Sequence, residues 1–182
     1  MSEIKIVIGS WGSYNVCNER ALGSEWLDLS DYSDWEEIAE ELKKEGFNLK
    51  GIDEELFIQD IEGITSDGLN WDYINPKDLF ETLLESGVLN DDYKYEVMQA
   101  FIEVESFSNF CDLVKNHGNK WNDDVYIYKG YSWEDYGKEM FDACCYEIDN
   151  SLLDFFDFER YGEYIGGDFA REYSNGIIEI NR

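Results

Sequence analysis

The stretch that most limits what this chain can become runs from Tyr131 to Tyr164, YSWEDYGKEMFDACCYEIDNSLLDFFDFERYGEY. Acids and aromatic rings alternate through it at helical spacing, so folding has to put rings inward and carboxylates outward. Ser132 with Asp135 three residues later reads as an N-cap with a capping-box partner. Trp133, Tyr136, Met140 and Cys144 then form an apolar stripe. Glu134, Asp135, Glu139 and Asp142 fall off that stripe, with Asp135, Glu139 and Asp142 roughly 4.5–6 Å apart along the axis. A second helix, near Leu152 to Glu163, is expected to bury Leu152, Phe155, Phe156 and Tyr161 and to show Asp154, Asp157, Glu159 and Glu163.

This acidity extends over the chain, with 42 Asp and Glu against 14 Lys and Arg, a net charge of −28. Apolar residues make up 43% and aromatics 16%, too much for a disordered acidic tail. A core therefore forms beneath a strongly negative surface. Nucleic acid is a poor direct partner for such a surface. Basic protein grooves, cationic proteins and metal ions fit it better, and plain solubility is the alternative reading. Cys17, Cys111, Cys144 and Cys145 show no metal-ligand spacing. No secretory leader or membrane-length apolar run is present, which makes the cytoplasm and free thiols the expectation.

The chain divides into three expected units. In residues 1–63, Ile4, Ile6 and Ile8 mark a first strand, and Gly9–Gly23 reads as a loop. Ser24–Leu29 and Glu55–Ile61 are further strands. Between them lies a helix boxed by Ser33 and Glu36, carrying Trp35, Ile38, Ala39 and Leu42 inward and ending at Gly46. It displays Glu36, Glu37 and Glu40. Residues 64–120 read as helical. Asn75 caps a helix with Pro76 at its first position, and Leu79, Phe80, Leu83 and Leu84 form its buried face up to Gly87. A second helix near Asp91–Glu103 turns Tyr93, Val97 and Phe101 inward. A third follows Ser106, with Phe107, Phe110, Cys111 and Val114 on one face and Gly118 beyond its end. In residues 121–182, Asp124–Lys129 is a strand and Asn175-Gly176 signals a type I′ hairpin between Ala170–Ser174 and Ile177–Ile180.

Catalytic constellations are missing. His117 is the only histidine, in an Asn116-His117-Gly118 helix end that suits a cap. No phosphate loop, HExxH, GxSxG or CxxC motif occurs. Asp53-Glu54-Glu55 and Asp123-Asp124 do not follow the ligand order of a calcium loop. What remains is a lattice of carboxylates. Duplex DNA carries one charge per ~1.7 Å of axis, a density that several acidic helices side by side approximate.

Three motifs, in order, carry a family resemblance. The first is Ile6-Val7-Ile8-Gly9 with Tyr14-Asn15, Leu22-Gly23 and Trp26-Leu27. The second is Glu55 to Glu62 (ELFIQDIE). The third is Phe156 to Gly162 (FDFERYG), followed by the Asn175-Gly176 hairpin. Together they resemble the ArdA antirestriction proteins carried by conjugative elements and some phages. The resemblance implies an elongated α+β molecule, with small antiparallel-sheet domains at both ends and a helical domain between. It also implies a homodimeric mimic of B-form DNA. Such a protein would block type I restriction-modification enzymes at the DNA groove of their specificity and methyltransferase subunits, with no catalysis, cofactor or metal. Glu36, Glu37, Glu40, Glu134, Asp135, Glu139, Asp142, Asp154, Asp157, Glu159 and Glu163 would stand for phosphates. An acidic inhibitor of another nucleic-acid effector, such as a CRISPR nuclease, fits the same surface. Phe158, Tyr161 and Tyr164 serve either a core or a dimer patch.

Overall fold

The structure, a computed structural model, describes residues 3–64, 69–144 and 147–181. Expectations that fall on Cys145 and on 65–68 lie outside the described residues. The fold is α+β: a three-stranded antiparallel sheet near each end of the chain, with helices between them.

The first sheet has the order β2-β1-β3, from β1 (Lys5–Ser10), β2 (Leu27–Asp28) and β3 (Leu56–Glu62). Ile4, Ile6 and Ile8 are fully buried, and Val7 on the opposite face is nearly so. The expected Ser24–Leu29 strand shrinks to two residues. Asp28 turns the chain into a 3-10 segment at Leu29–Asp31 by accepting from the Ser30 amide and hydroxyl. The expected Gly9–Gly23 loop contains a helix, α1 (Trp11–Val16). Its propensity is poor, so tertiary contacts hold it. The Ser10 hydroxyl accepts from the Ser13 amide, and buried Ser13 donates to the buried carboxylate of Asp53.

Helix α2 (Trp35–Lys44) starts one residue later than the Ser33–Glu36 box implies. Asp34 is the N-cap and accepts from the Glu37 amide, while the Glu37 carboxylate accepts from the Ser33 amide and hydroxyl. An aspartate outcompetes the neighbouring serine because its charge also favours the positive end of the helix dipole.

The middle helices are α3 (Pro76–Ser86), α4 (Asp92–Val104) and α5 (Phe107–His117). Asn75 caps α3 ahead of Pro76, and Gly87 ends it in the left-handed region. Ser106 caps α5 and Gly118 follows it. Tyr93 departs from expectation. It sits in the first turn of α4 and is exposed, because Val97, Met98, Ala100, Phe101 and Ile102 already fill the buried face.

The second sheet, order β4-β6-β5, is made by β4 (Val125–Lys129), β5 (Ala170–Tyr173) and β6 (Gly176–Ile180). Pairing of Tyr173 with Gly176 leaves Ser174 and Asn175 as the hairpin loop. Neither has a positive φ, so the type I′ turn is not formed, and Gly176 takes φ 140° instead. A Cβ on Gly176 would fall 2.1 Å from the Tyr128 carbonyl oxygen, so the close approach of β4 explains the glycine.

One contiguous core joins β1, α2, the three middle helices and the Val125, Ile178 and Ile180 face of the second sheet. A smaller core lies around Tyr136, Ala170 and Ile177, with Tyr128, Trp133, Met140 and Ile165 against it. The second sheet is thus covered on both faces, by different layers.

Candidate functional site

The acidic stretch folds as α6 (Trp133–Ala143), α7 (Asn150–Leu153) and α8 (Phe158–Gly166). The Ser132 capping box closes as expected: the Asp135 amide donates to Ser132 Oγ at 3.2 Å, and the Ser132 amide to Asp135 Oδ2 at 3.1 Å. The Ser132 hydroxyl, donating to Asp135 Oδ2 at 2.7 Å, and then the Ser132 amide hold the Asp135 carboxyl below the usual carboxylate range. The buried face of α6 is Tyr136, Gly137 and Phe141, whereas the expected Cys144 is exposed past the helix end.

The expected Leu152–Glu163 helix breaks in two. Asp157 caps α8 by accepting from the Arg160 amide, which restarts the helix after a turn. Leu152 and Phe155 lie on the surface rather than inside, Phe155 at 85% exposure. Phe156 and Tyr161 are half-buried in a ring cluster with Phe141 and Phe158. Tyr164 is 81% exposed, so of the three rings left open between core and surface it alone is free to meet a partner.

What fixes α8 against α6 is glycine. A Cβ on Gly137 would lie 2.0 Å from the Phe158 carbonyl oxygen, and one on Gly162 would lie 2.2 Å from that of Trp133. The helices therefore touch backbone to backbone, and Gly166 packs under the Trp133 indole. The sequence signal was there to be read: an interior helix glycine costs ~1 kcal/mol against alanine and implies a packing reason.

The structure gathers only some of the eleven candidate acids. Glu134, Asp142 and Asp154 line one groove with Lys138, Phe156 and Phe158. Glu147, outside those eleven, also lines it. Glu139 lies on the side of α6 near Tyr128, where burial and then the Glu179 carboxylate raise the phenol pKa, with Glu139 adding to the effect. Glu159 and Glu163 are exposed on α8, and Glu36 and Glu40 on α2. Glu37, Asp135 and Asp157 serve caps, and Glu134 pairs with Lys138 at 2.5 Å.

The field follows from how the cations are used. Lys5, Lys44, Lys77, Lys129, Lys138 and Arg171 each pair with a carboxylate of this chain. Lys94 binds the Ser86 and Asn119 carbonyls, and Arg20 the Glu45 carbonyl. At least eight of the fourteen basic side chains are thereby spent internally. Among the described residues, no group of three or more His, Cys, Asp or Glu is placed to hold a metal ion. No helix there is long and apolar enough to cross a membrane.

The model of one family, described as antirestriction protein (ArdA), matches residues 6–178. This chain belongs to the ArdA family. The match runs from β1 into β6 and so spans both sheets and all the helices between. ArdA membership makes the protein an antirestriction protein, directed at restriction-modification systems. No individual curated protein matches the chain.

Proposed function

We propose that this ArdA protein inhibits type I restriction-modification enzymes by presenting the charge and shape of B-form DNA, occupying the DNA groove of the specificity and methyltransferase subunits. The observation that carries this reading is the net charge of −28 carried by a folded chain whose acids lie largely on exposed helix faces. Carboxylates on capped helices with a backbone-to-backbone crossing are pre-organised, so little entropy is lost when a basic groove closes on them. The surface is also large for the mass. Its 10830 Å² exceeds the roughly 9100 Å² of a compact monomer of this size, as an extended outline requires. Residues 1–63, 64–120 and 121–182 act as three successive units of the mimic, and two copies pair to lengthen it. The eleven acids named above stand for phosphates, and the protein performs no catalysis and works in the cytoplasm.

The test is a cleavage assay with a purified type I enzyme. The reading predicts inhibition that excess duplex DNA relieves competitively and that weakens as salt rises. Inhibition indifferent to DNA concentration contradicts it. Inhibition confined to a CRISPR nuclease would move the target to that class.

A further inference from the structure

The groove between α6, α7 and α8 is more than a patch of acids. Its floor is aromatic: Phe141, Phe156 and Phe158 form a triangle with centroid separations of 5.1, 4.8 and 5.6 Å. Its volume is about 860 Å³. Four carboxylates line it, those of Glu134, Asp142, Glu147 and Asp154, against the single ammonium of Lys138, so its lining charge is 1 − 4 = −3.

Lys138 shows what the groove does with a cation. Its Nζ bonds Glu134 Oε1 at 2.5 Å and stands 5.8 Å from the Phe158 ring centroid, between a carboxylate and a π face. That arrangement uses one acid and one ring. Asp142, Asp154 and Phe156 line the same groove, and among the described residues Lys138 is the one basic side chain in its lining.

We infer that this groove is an anchor for an arginine side chain from the basic DNA-binding channel of the target, stacked on Phe156 and held by Asp142 and Asp154. The inference rests on the inhibitory reading above and deepens it. A guanidinium suits the site better than an ammonium because it is planar, stacks on phenyl rings and offers forked donors to two carboxylates. Binding energy would then concentrate here instead of spreading evenly over the acids.

The test is an amide chemical-shift titration of the full chain with a capped Gly-Gly-Arg-Gly-Gly peptide. Saturable shifts centred on residues 138–142 and 154–158 are expected. Asp142→Asn with Asp154→Asn, both at exposed positions, should weaken peptide binding by about fivefold or more, against less than about twofold for Glu36→Gln with Glu40→Gln. The same groove pair should cost inhibition of a type I enzyme more than the α2 pair does. Shifts spread evenly over the acids, equal losses from the two pairs, or equal binding of a lysine peptide would overturn the anchor. In each of those cases wild-type inhibition would stand, leaving the mimic reading intact. Peptide binding with no wild-type inhibition of any type I enzyme would instead overturn the mimic reading and, with it, the arginine's assigned source.

Discussion

Gly137 and Gly162 lie against each other at the α6–α8 crossing, where a methyl group on Gly162 would come within 3.2 Å of Gly137 Cα and 2.2 Å of the Trp133 carbonyl oxygen. Neither obstacle is a flexible side chain. Gly137→Ala and Gly162→Ala each gain ~1 kcal/mol of helix propensity but have to push two helices apart. We predict a net loss of about 1–3 kcal/mol for each. Urea unfolding should show a lower midpoint with an unchanged slope.

The packing of α1 depends on one buried carboxylate. Asp53 is 1% exposed and accepts from the Ser13 hydroxyl and, at 2.7 Å, from the Asn48 amide. Burial by itself raises a carboxyl pKa. The Ser13 and Ser10 hydroxyls and the Asn48 amide outweigh it and hold Asp53 below its ordinary range. A depressed folded pKa gives stability that is present above the unfolded value of about 4 and is lost as pH falls through the folded one. Asp53→Asn should therefore cost about 1–3 kcal/mol at pH 7. Its difference from wild type in urea melts should shrink below pH ~4.

Those two sites differ in how far they could be read from the residues alone. The Asn75-Pro76 start, the Ser132–Asp135 box and the strands at Ile4–Ile8 and Leu56–Glu62 are local chemistry, legible within a few positions. The acid-out, ring-in character of α6 was legible for the same reason. Helix α1 was not, because WGSYNV is a poor helix former held by Asp53 some 40 residues away. The break before Asp157 and the exposure of Phe155 are not legible, because periodicity continues across a cap that restarts the helix. Glu147 and the aromatic floor of the groove depend on how α7 folds back, which no spacing encodes.

Thiol chemistry checks the burial directly. Cys17 and Cys144 are exposed, whereas burial pushes the Cys111 thiol up to about 11. In iodoacetamide labelling at pH 8, Cys17 and Cys144 should be modified first, with Cys111 labelled only on unfolding.

The joint between α4 and the second sheet separates geometry from charge. Lys129 meets Glu96 at 2.7 Å, Arg171 meets Glu105 at 2.9 Å, and the Ser174 amide donates to Glu103 at 2.6 Å. Lys129→Gln with Arg171→Gln makes the chain more negative, −28 − 2 = −30, while loosening this contact. If the layout of the acids matters, the variant is a weaker inhibitor despite its larger charge. An inhibitor that improves simply with charge contradicts the role of layout.

Salt should act on the free and bound protein in opposite directions. Screening relieves self-repulsion among 42 acids, so the unfolding temperature of the free protein should rise between about 20 and 300 mM NaCl. Over the same range its inhibition should weaken. Differential scanning calorimetry beside a cleavage assay reads both.

The most direct measurement is inhibition of a type I restriction enzyme by a variant with Glu36, Glu40, Glu139, Asp142, Glu159 and Glu163 all changed to lysine, its fold verified by circular dichroism. With the charge lattice as the inhibitory feature, the sixfold variant loses inhibition by about a hundredfold or more, while each single reversal outside the α6–α8 groove changes it by less than about fivefold. A folded sixfold variant that inhibits as well as the natural protein would contradict DNA mimicry outright.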